Sequence, residues 1–212
     1  MKTKLSLLFL LLSAIGFAQG RAQVFSFTPL SQNVVEVNGL ALGIGHWFGS
    51  PNGATINGIN LEINPVSPFF ILFQDPSKGA RNNDAEVTVN GLHVAVGGFS
   101  GNGSVNGLGI SLYNVGYAYN GVSLTGLYNA SGTLNGLHIS GLANIAGNGV
   151  GVIIAPFNVA DQFTGLQIGL SNYSESFTGV QIGLFNRTKE QSGLQVGFWN
   201  RNGKRSLPFI NW

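Results

Sequence analysis

The stretch that decides the fold is a motif near the C-terminal end that occurs three times in succession. It reads Gly165-Leu-Gln-Ile-Gly-Leu-Ser-Asn172, then Gly179-Val-Gln-Ile-Gly-Leu-Phe-Asn186, then Gly193-Leu-Gln-Val-Gly-Phe-Trp-Asn200. Looser copies precede it, and their closing asparagines keep a spacing of 14 or 15 residues: Asn114, Asn129, Asn144 and Asn158. A short, fixed period indicates that one small structural unit is copied and that the copies stack.

Each unit has the pattern of a short strand, a corner and a second short strand. Leu166 and Ile168 alternate with Gln167 and Gly169, which is the two-residue period of a half-buried strand. Interior glycines and many β-branched residues argue against a helix. Turn-forming residues, such as those at 130–132, separate the units.

Two all-β architectures can be built from such units. In a parallel β-solenoid each unit is one coil, whereas in an antiparallel meander or an outer-membrane β-barrel each unit is one strand. Antiparallel pairing would make every second unit equivalent, but here every unit repeats. The units at Gly121 and Gly136 also carry one extra residue, which a corner accommodates more easily than a continuous strand does. We therefore expect an all-β parallel solenoid of about ten coils, each of 14–15 residues.

The solenoid arrangement predicts which side chains face the interior. The apolar residues of each unit are expected to point inward, as in Leu108, Ile110 and Leu112 or in Leu194, Val196 and Phe198. The closing asparagines are expected to form a hydrogen-bonded ladder along the axis, as amides do in cross-β assemblies. The column that contains His93, His138, Gln167, Gln181 and Gln195 is expected to be exposed and hydrogen-bonded.

The N-terminal segment has the composition of a signal peptide over residues 1–18. Lys2 and Lys4 precede an apolar run that is too short for a permanent membrane anchor, and Gly16-Phe17-Ala18 is a small-x-small cleavage site. We expect the remainder to be a single repeat domain over 19–212. Its predicted parts are looser repeats over 39–90, regular repeats over 91–200 and a C-terminal cap over 201–212.

The charge pattern argues against binding to nucleic acid. The chain has 10 Lys and Arg against 8 Asp and Glu, so loss of Lys2 and Lys4 leaves no net charge. No charged residue lies between Glu86 and Asp161, whereas binding to nucleic acid needs basic residues that neutralise phosphates. An uncharged, glycine-rich middle suits a stacked structure and also suits a surface in contact with lipid. Contact with a membrane therefore stays open.

No residue pattern for catalysis, for a cofactor or for a metal stands out. His93 and His138 would lie about three coils apart, roughly 14 Å, which is too far for one ion. His46 has no identifiable partner. The carboxylates that could pair for hydrolysis belong to sequence typical of a solvated loop or stand alone: Glu62, Asp75, Asp84 and Glu86. We expect no catalytic residue, no cofactor and no bound metal.

Four tyrosines gather over two adjacent units: Tyr113, Tyr117, Tyr119 and Tyr128. On an exposed face of a solenoid, such side chains stack against sugars or against a partner protein, because they combine flat apolar area with a polar tip. These tyrosines are the candidate ligand face.

The three C-terminal units resemble the bacterial surface-repeat proteins first described from leptospires and common in Bacteroidota. The motif of that family is a run of Gly-Leu-Gln-Ile-Gly-Leu-x-Asn copies separated by short polar turns, and the units at Gly165, Gly179 and Gly193 match it. The resemblance implies export and exposure at the cell surface, and it supplies no catalytic residues.

The sequence thus predicts an exported protein, at the cell surface, in the outer membrane or outside the cell. Its expected role is that of a non-catalytic structural or adhesive interaction module, and the partner class is a cell-surface glycan or protein. The alternative is a small outer-membrane β-barrel, which the final aromatic residue Trp212 favours.

Overall fold

The computed structural model describes residues 21–46, 53–65, 69, 87–97 and 100–212. The predicted signal peptide and the carboxylates Asp75, Asp84 and Glu86 lie outside the described residues. Ten strands form one sheet whose spatial order is the order of the chain. The strands are β1 (Ala22–Thr28), β2 (Glu36–Gly43), β3 (Ala54–Glu62), β4 (Val87–Ala95), β5 (Ser100–Ser111), β6 (Asn114–Thr125), β7 (Tyr128–Ser140), β8 (Ala143–Ile154), β9 (Phe157–Arg201) and β10 (Ser206–Asn211).

Successive strands from β1 to β9 run parallel, so the chain winds into the predicted β-solenoid. Equivalent positions pair with each other, as Gly58 does with Gly91 and Asn114 with Asn129. This parallel register excludes the antiparallel alternative for these strands. The solenoid makes about eight turns, slightly fewer than predicted.

A column of glycines, one per unit from Gly39 to Gly193, forms one corner of the solenoid. All ten have positive φ, and at Gly179 the angle is 130°, a conformation that L side chains rarely adopt. The backbones of neighbouring coils also touch there, because a Cβ on Gly179 would collide with the carbonyl oxygen of Gly165. This corner therefore needs glycine for two separate reasons.

The extra residue of the two longer units lies at a corner, as predicted. Gly126 and Leu127 interrupt the chain between β6 and β7, and Gly141 and Leu142 do so between β7 and β8. Before the first interruption Ser111 pairs with Thr125, and after it Asn114 pairs with Asn129, so the corner absorbs the extra residue and no later side chain switches to the other face.

The prediction of an apolar inward face was wrong for the residues that follow each corner glycine. Leu108, Ile110, Leu194 and their equivalents point outward, and the polar residues between them point inward. The apolar core lies instead two positions before the corner glycine. Its members stack on one another through the solenoid: Val37, Ile56, Val89, Val105, Tyr119, Leu134, Phe163 and Phe177.

Strand β10 covers the last coil by pairing antiparallel with β9, which places Ile210 opposite Val196. The turn before it is fixed by Asn202, whose side-chain oxygen accepts hydrogen bonds from the backbone N–H groups of Lys204 and Arg205 at 2.9 and 2.7 Å. The Arg205 guanidinium lies 4.6 Å from the centre of the Trp212 ring. These contacts hold the segment that the sequence predicts as a cap.

Candidate interaction surface and the buried polar columns

The predicted asparagine ladder is present, and it lies inside the solenoid. Each side-chain amide donates to the side-chain oxygen of the asparagine one coil further on, over distances of 2.7–3.2 Å from Asn114 to Asn200. The ladder asparagines are almost completely inaccessible to solvent: Asn114, Asn129, Asn144, Asn158, Asn172, Asn186 and Asn200. We call this row the inner ladder.

The inner ladder tolerates burial because the amides in it have hydrogen-bond partners. The amide nitrogen of Asn172 donates to Asn186 Oδ1 at 2.8 Å and also to the backbone oxygen of Ile182 at 2.9 Å, while its side-chain oxygen accepts from Asn158 at 2.8 Å. A buried amide without such partners would cost a few kcal/mol, roughly 1–3 for each unsatisfied group. Stacking at a fixed register therefore turns a costly residue into a stabilising one.

The column of His93, His138 and the three glutamines is hydrogen-bonded, but it is buried and not exposed as expected. Gln195 donates to Gln181 at 2.7 Å, and Gln181 donates to Gln167 at 2.6 Å. Asn211 of β10 closes this row by donating to Gln195 at 3.0 Å. These glutamine amides donate toward the N-terminal end and the inner-ladder amides toward the C-terminal end. The dipoles of the two rows are therefore opposed.

Ser123 and His138 resemble part of a catalytic arrangement but are closed off from solvent. Ser123 Oγ lies 2.7 Å from His138 Nδ1 and accepts a hydrogen bond from Asn129 Nδ2 at 2.8 Å. Both residues are fully buried, and burial lowers the pKa of His138 to about 4. Burial closes Ser123 off from any substrate in this structure. The contact between Ser123 and His138 links neighbouring coils.

A second buried group joins His46, Glu62, Asn60 and His93 in the first half of the chain. His46, for which no partner was identifiable from the sequence, places Nε2 3.0 Å from Glu62 Oε1. Asn60 Nδ2 bridges the same carboxylate oxygen at 2.8 Å and His93 Nδ1 at 3.1 Å. Burial alone would raise the pKa of Glu62, but the hydrogen bond and charge of His46 lower it below its usual value. Burial lowers the pKa of His93 to about 4.

The tyrosines do not form the expected ligand face. Tyr113, Tyr119 and Tyr128 are buried, and only Tyr117 is exposed. Tyr119 lies in the apolar core and fills the space that Gly109 leaves open. Tyr113 and Tyr128 pack against each other with ring centres 5.5 Å apart, and burial raises the pKa of Tyr128 to about 12. The sequence identified the aromatic cluster but not the side of the strand on which it lies.

A second asparagine ladder, which the sequence analysis missed, runs along the surface of the first half. Its members directly precede the corner glycines: Asn38, Asn57, Asn90, Asn106, Asn120 and Asn135. Each donates to the preceding asparagine at 2.8 or 2.9 Å. We call this row the outer ladder. The repeated Asn-Gly dipeptide was the signal that could have revealed it.

An apolar surface lies on the outside of the coils that the structure describes. It consists of the side chains one and three positions after each corner glycine, from Leu40 and Leu42 to Leu194 and Val196, and we call it the apolar face. Every one of these positions is Leu, Ile or Val, and none is buried. Leu124, for example, is 40 % exposed. Leu170, Leu184 and Phe198 are further exposed apolar side chains in the last units.

Ionic groups are absent from the apolar face and sparse around it in the part of the chain that the structure describes. One exposed ion pair, Lys189 and Glu175, lies on the tails of the last coils with Nζ and Oε1 2.5 Å apart. Arg187 lies 5.7 Å from the ring of Tyr173 on the same side of the solenoid.

Three further findings bear on function. No helix among the described residues is long and apolar enough to cross a bilayer. Within the same residues no group of three or more His, Asp or Glu side chains is arranged to hold a metal ion. No family model, no curated protein and no solved structure matches this chain.

Proposed function

We propose that this chain is exported and acts as a non-catalytic structural or adhesive interaction module at the cell surface. The observation that carries the proposal is the apolar face, a set of exposed and half-exposed Leu, Ile and Val side chains that recurs in each described unit. The largest exposed apolar patch of a typical monomer covers roughly 300–600 Å² and is often functional. A surface of this kind is suited to contact with another macromolecule.

The distribution of reactive groups supports the non-catalytic part of the proposal. Four side chains that could serve in acid–base or nucleophilic chemistry, Glu62, His93, Ser123 and His138, are all buried. They hydrogen-bond to neighbouring residues in the stack and do not line an accessible cleft. In a solenoid such groups join successive coils, and the outside surface is what remains for recognition.

The partner class that fits best is a protein. The glycan hypothesis depended on an exposed cluster of tyrosines, and three of the four are buried. Leu, Ile and Val side chains lack the polar groups and the flat rings that recognise sugars. They do suit the central part of a protein interface, which is depleted of charge. The resemblance to surface-repeat proteins supports export and surface display.

Cell fractionation tests export. The full chain carrying a C-terminal epitope tag should be recovered outside the cytoplasm and should be degraded by protease added to intact cells. The control replaces Leu8 and Leu10 by arginine, which interrupts the apolar run at 5–12 and should retain the chain in the cytoplasm. Recovery of the unaltered chain in the cytoplasm would overturn the proposal.

A further inference from the structure

We propose that the apolar face is the surface on which two copies of this chain pack against each other, sheet on sheet. The proposal rests on the proposed function in naming the partner of the interaction surface. The size, the charge and the shape of the apolar face all favour a second copy of this chain as its occupant.

The size of the face matches what a stable pair requires. The ten rows of the face, one for each corner glycine, extend over roughly 43 Å at a spacing of about 4.8 Å. The width of the face along each row is roughly 15 Å, which gives about 650 Å². A standard interface takes about 800 Å² from each partner, and homodimer interfaces are more apolar than most. The face therefore supplies most of the area and the apolar composition of such an interface.

The charge distribution favours a second copy over a bilayer. Membrane-surface binding typically combines an apolar surface with neighbouring basic side chains that contact lipid headgroups. Here no Lys or Arg occurs between residues 87 and 160, along the central part of the face. When the face meets its own copy, no like charges come together, so self-association carries no electrostatic penalty from the face.

The shape of the face also fits a copy of itself. Outward Leu, Ile and Val side chains on regularly spaced strands form an even surface, with their buried neighbours alternating strictly between them. Two such surfaces pack face to face at about 10 Å, as the sheets of a β-sandwich do. A two-fold axis through the interface would bring the same patch of both copies together. Ile210, paired with Val196, extends the face beyond the last coil.

The test compares the full chain with two matched double variants by sedimentation velocity over a concentration series. The face variant carries Ile110→Lys and Ile182→Lys, at positions that are 39 and 42 % exposed. The control carries Val150→Lys and Val159→Lys, which are 60 and 39 % exposed and lie outside the face. Arg187 and Arg201 occupy the position of Val159 in later coils, so a cation is accommodated at this position of the coil.

The unaltered chain and the control should sediment as dimers at micromolar concentration. The face variant should dissociate with a constant raised about 100-fold or more, because four lysines would be buried without partners. Its circular dichroism and thermal midpoint at high dilution should match those of the control, which separates loss of pairing from loss of fold. A monomeric unaltered chain, or an equal change in both variants, would overturn the proposal.

Flotation with phosphatidylcholine vesicles, either neutral or containing an anionic lipid, tests a bilayer as the alternative occupant of the apolar face. A chain that is monomeric in solution and that floats with vesicles through Ile110 and Ile182 would overturn the second copy while leaving the interaction module intact. Export fails independently, in the fractionation experiment, because a dimer that never leaves the cytoplasm would still sediment as a dimer.

Discussion

The two asparagine ladders lie in opposite environments although both consist of asparagines stacked from coil to coil. In the first half of the chain the outer ladder is on the surface, and the interior beside it contains Val37, Ile56 and Val89. In the second half the inner ladder and the glutamine row occupy the interior, where Phe163 and Phe177 supply the apolar contacts. A period therefore fixes how the coils stack, but it does not determine which side chains face inward.

Hydrogen-bond satisfaction explains how both arrangements are stable. An exposed amide can bond to water, so the outer ladder adds little when it pairs with itself. A buried amide has no such alternative, and each member of the inner ladder depends on its neighbours in two adjacent coils. The second half is consequently the part of the molecule in which a single polar side chain matters most.

The largest effect should come from the feature that both halves share, the corner glycines. Gly58→Ala and Gly179→Ala should each cost more than about 4 kcal/mol in unfolding free energy, because the new Cβ meets the carbonyl oxygen of the preceding coil at an unfavourable φ. Gly53→Ala is the control, since Gly53 also has positive φ but has nothing within 4 Å of its Cβ position. We expect a cost of about 1–2 kcal/mol there. Chemical denaturation measures all three, and equal costs would contradict the close stacking.

The next effect separates the ladders directly. Asn172→Ala should cost about 2–4 kcal/mol, because inside the solenoid it removes one acceptor of the Asn158 amide and the ladder donor of the Asn186 side-chain oxygen. Asn106→Ala removes a member of the outer ladder that also has two asparagine neighbours, Asn90 and Asn120. It should change stability by less than about 0.5 kcal/mol. Urea unfolding of both variants gives the comparison. Similar losses in the two variants would mean that the ladders do not differ in burial.

Acid should destabilise the coils of β4 to β7 before those of β9. Burial lowers the folded-state pKa of His93 and His138 to about 4, below the value of about 6.5 for an unfolded histidine. Between these values the unfolded chain binds more protons, so stability is complete above pH 6.5 and falls as the pH decreases. The loss is about 2 kcal/mol per histidine at pH 5. The buried polar residues described from Phe157 onward are Asn, Gln, Ser and Thr, which do not titrate.

Hydrogen exchange of backbone amides at pH 7 and pH 5 measures this asymmetry. Protection should decrease over β4 to β7 and persist over β9. The matched variant His138→Gln places the residue of Gln167 at an equivalent position of the same column, and it should reduce the pH dependence without loss of the fold. Earlier opening of β9 at pH 5 would contradict the assignment of the titrating groups.

Much of the fold could be predicted from the sequence, because stacking depends on spacing. The period of the closing asparagines predicts parallel coils, and the extra residue at Gly126 predicts a corner there. The inward direction could not be predicted from the alternation of Leu166, Gln167 and Ile168, since a two-residue period fits either face equally well. The apolar character of Leu166 and Ile168 favoured an inward direction for them, which was wrong. The deciding factor was that Gln167 and Gln181 satisfy each other when they are stacked.

The predicted interaction site failed for the same reason. Tyr119 precedes a corner glycine by two positions, in the column of Val105 and Leu134, and this column forms the apolar core. The apolar face was visible in the sequence as the apolar residues one and three positions after each corner glycine, but these residues were interpreted as the interior. Consequently the surface most suited to a partner was assigned to the core, and a buried aromatic cluster was assigned to the surface.

Side-chain amide hydrogen exchange, measured by NMR on nitrogen-15-labelled protein, tests the central claim that the inner ladder is buried and continuous. The side-chain amide protons of Asn172, which donate to Asn186 and to the backbone of Ile182, should exchange far more slowly than those of Asn106 in the outer ladder. Slow exchange at Asn172 together with fast exchange at Asn106 is the result that this structure predicts. Equally fast exchange at both asparagines would contradict it.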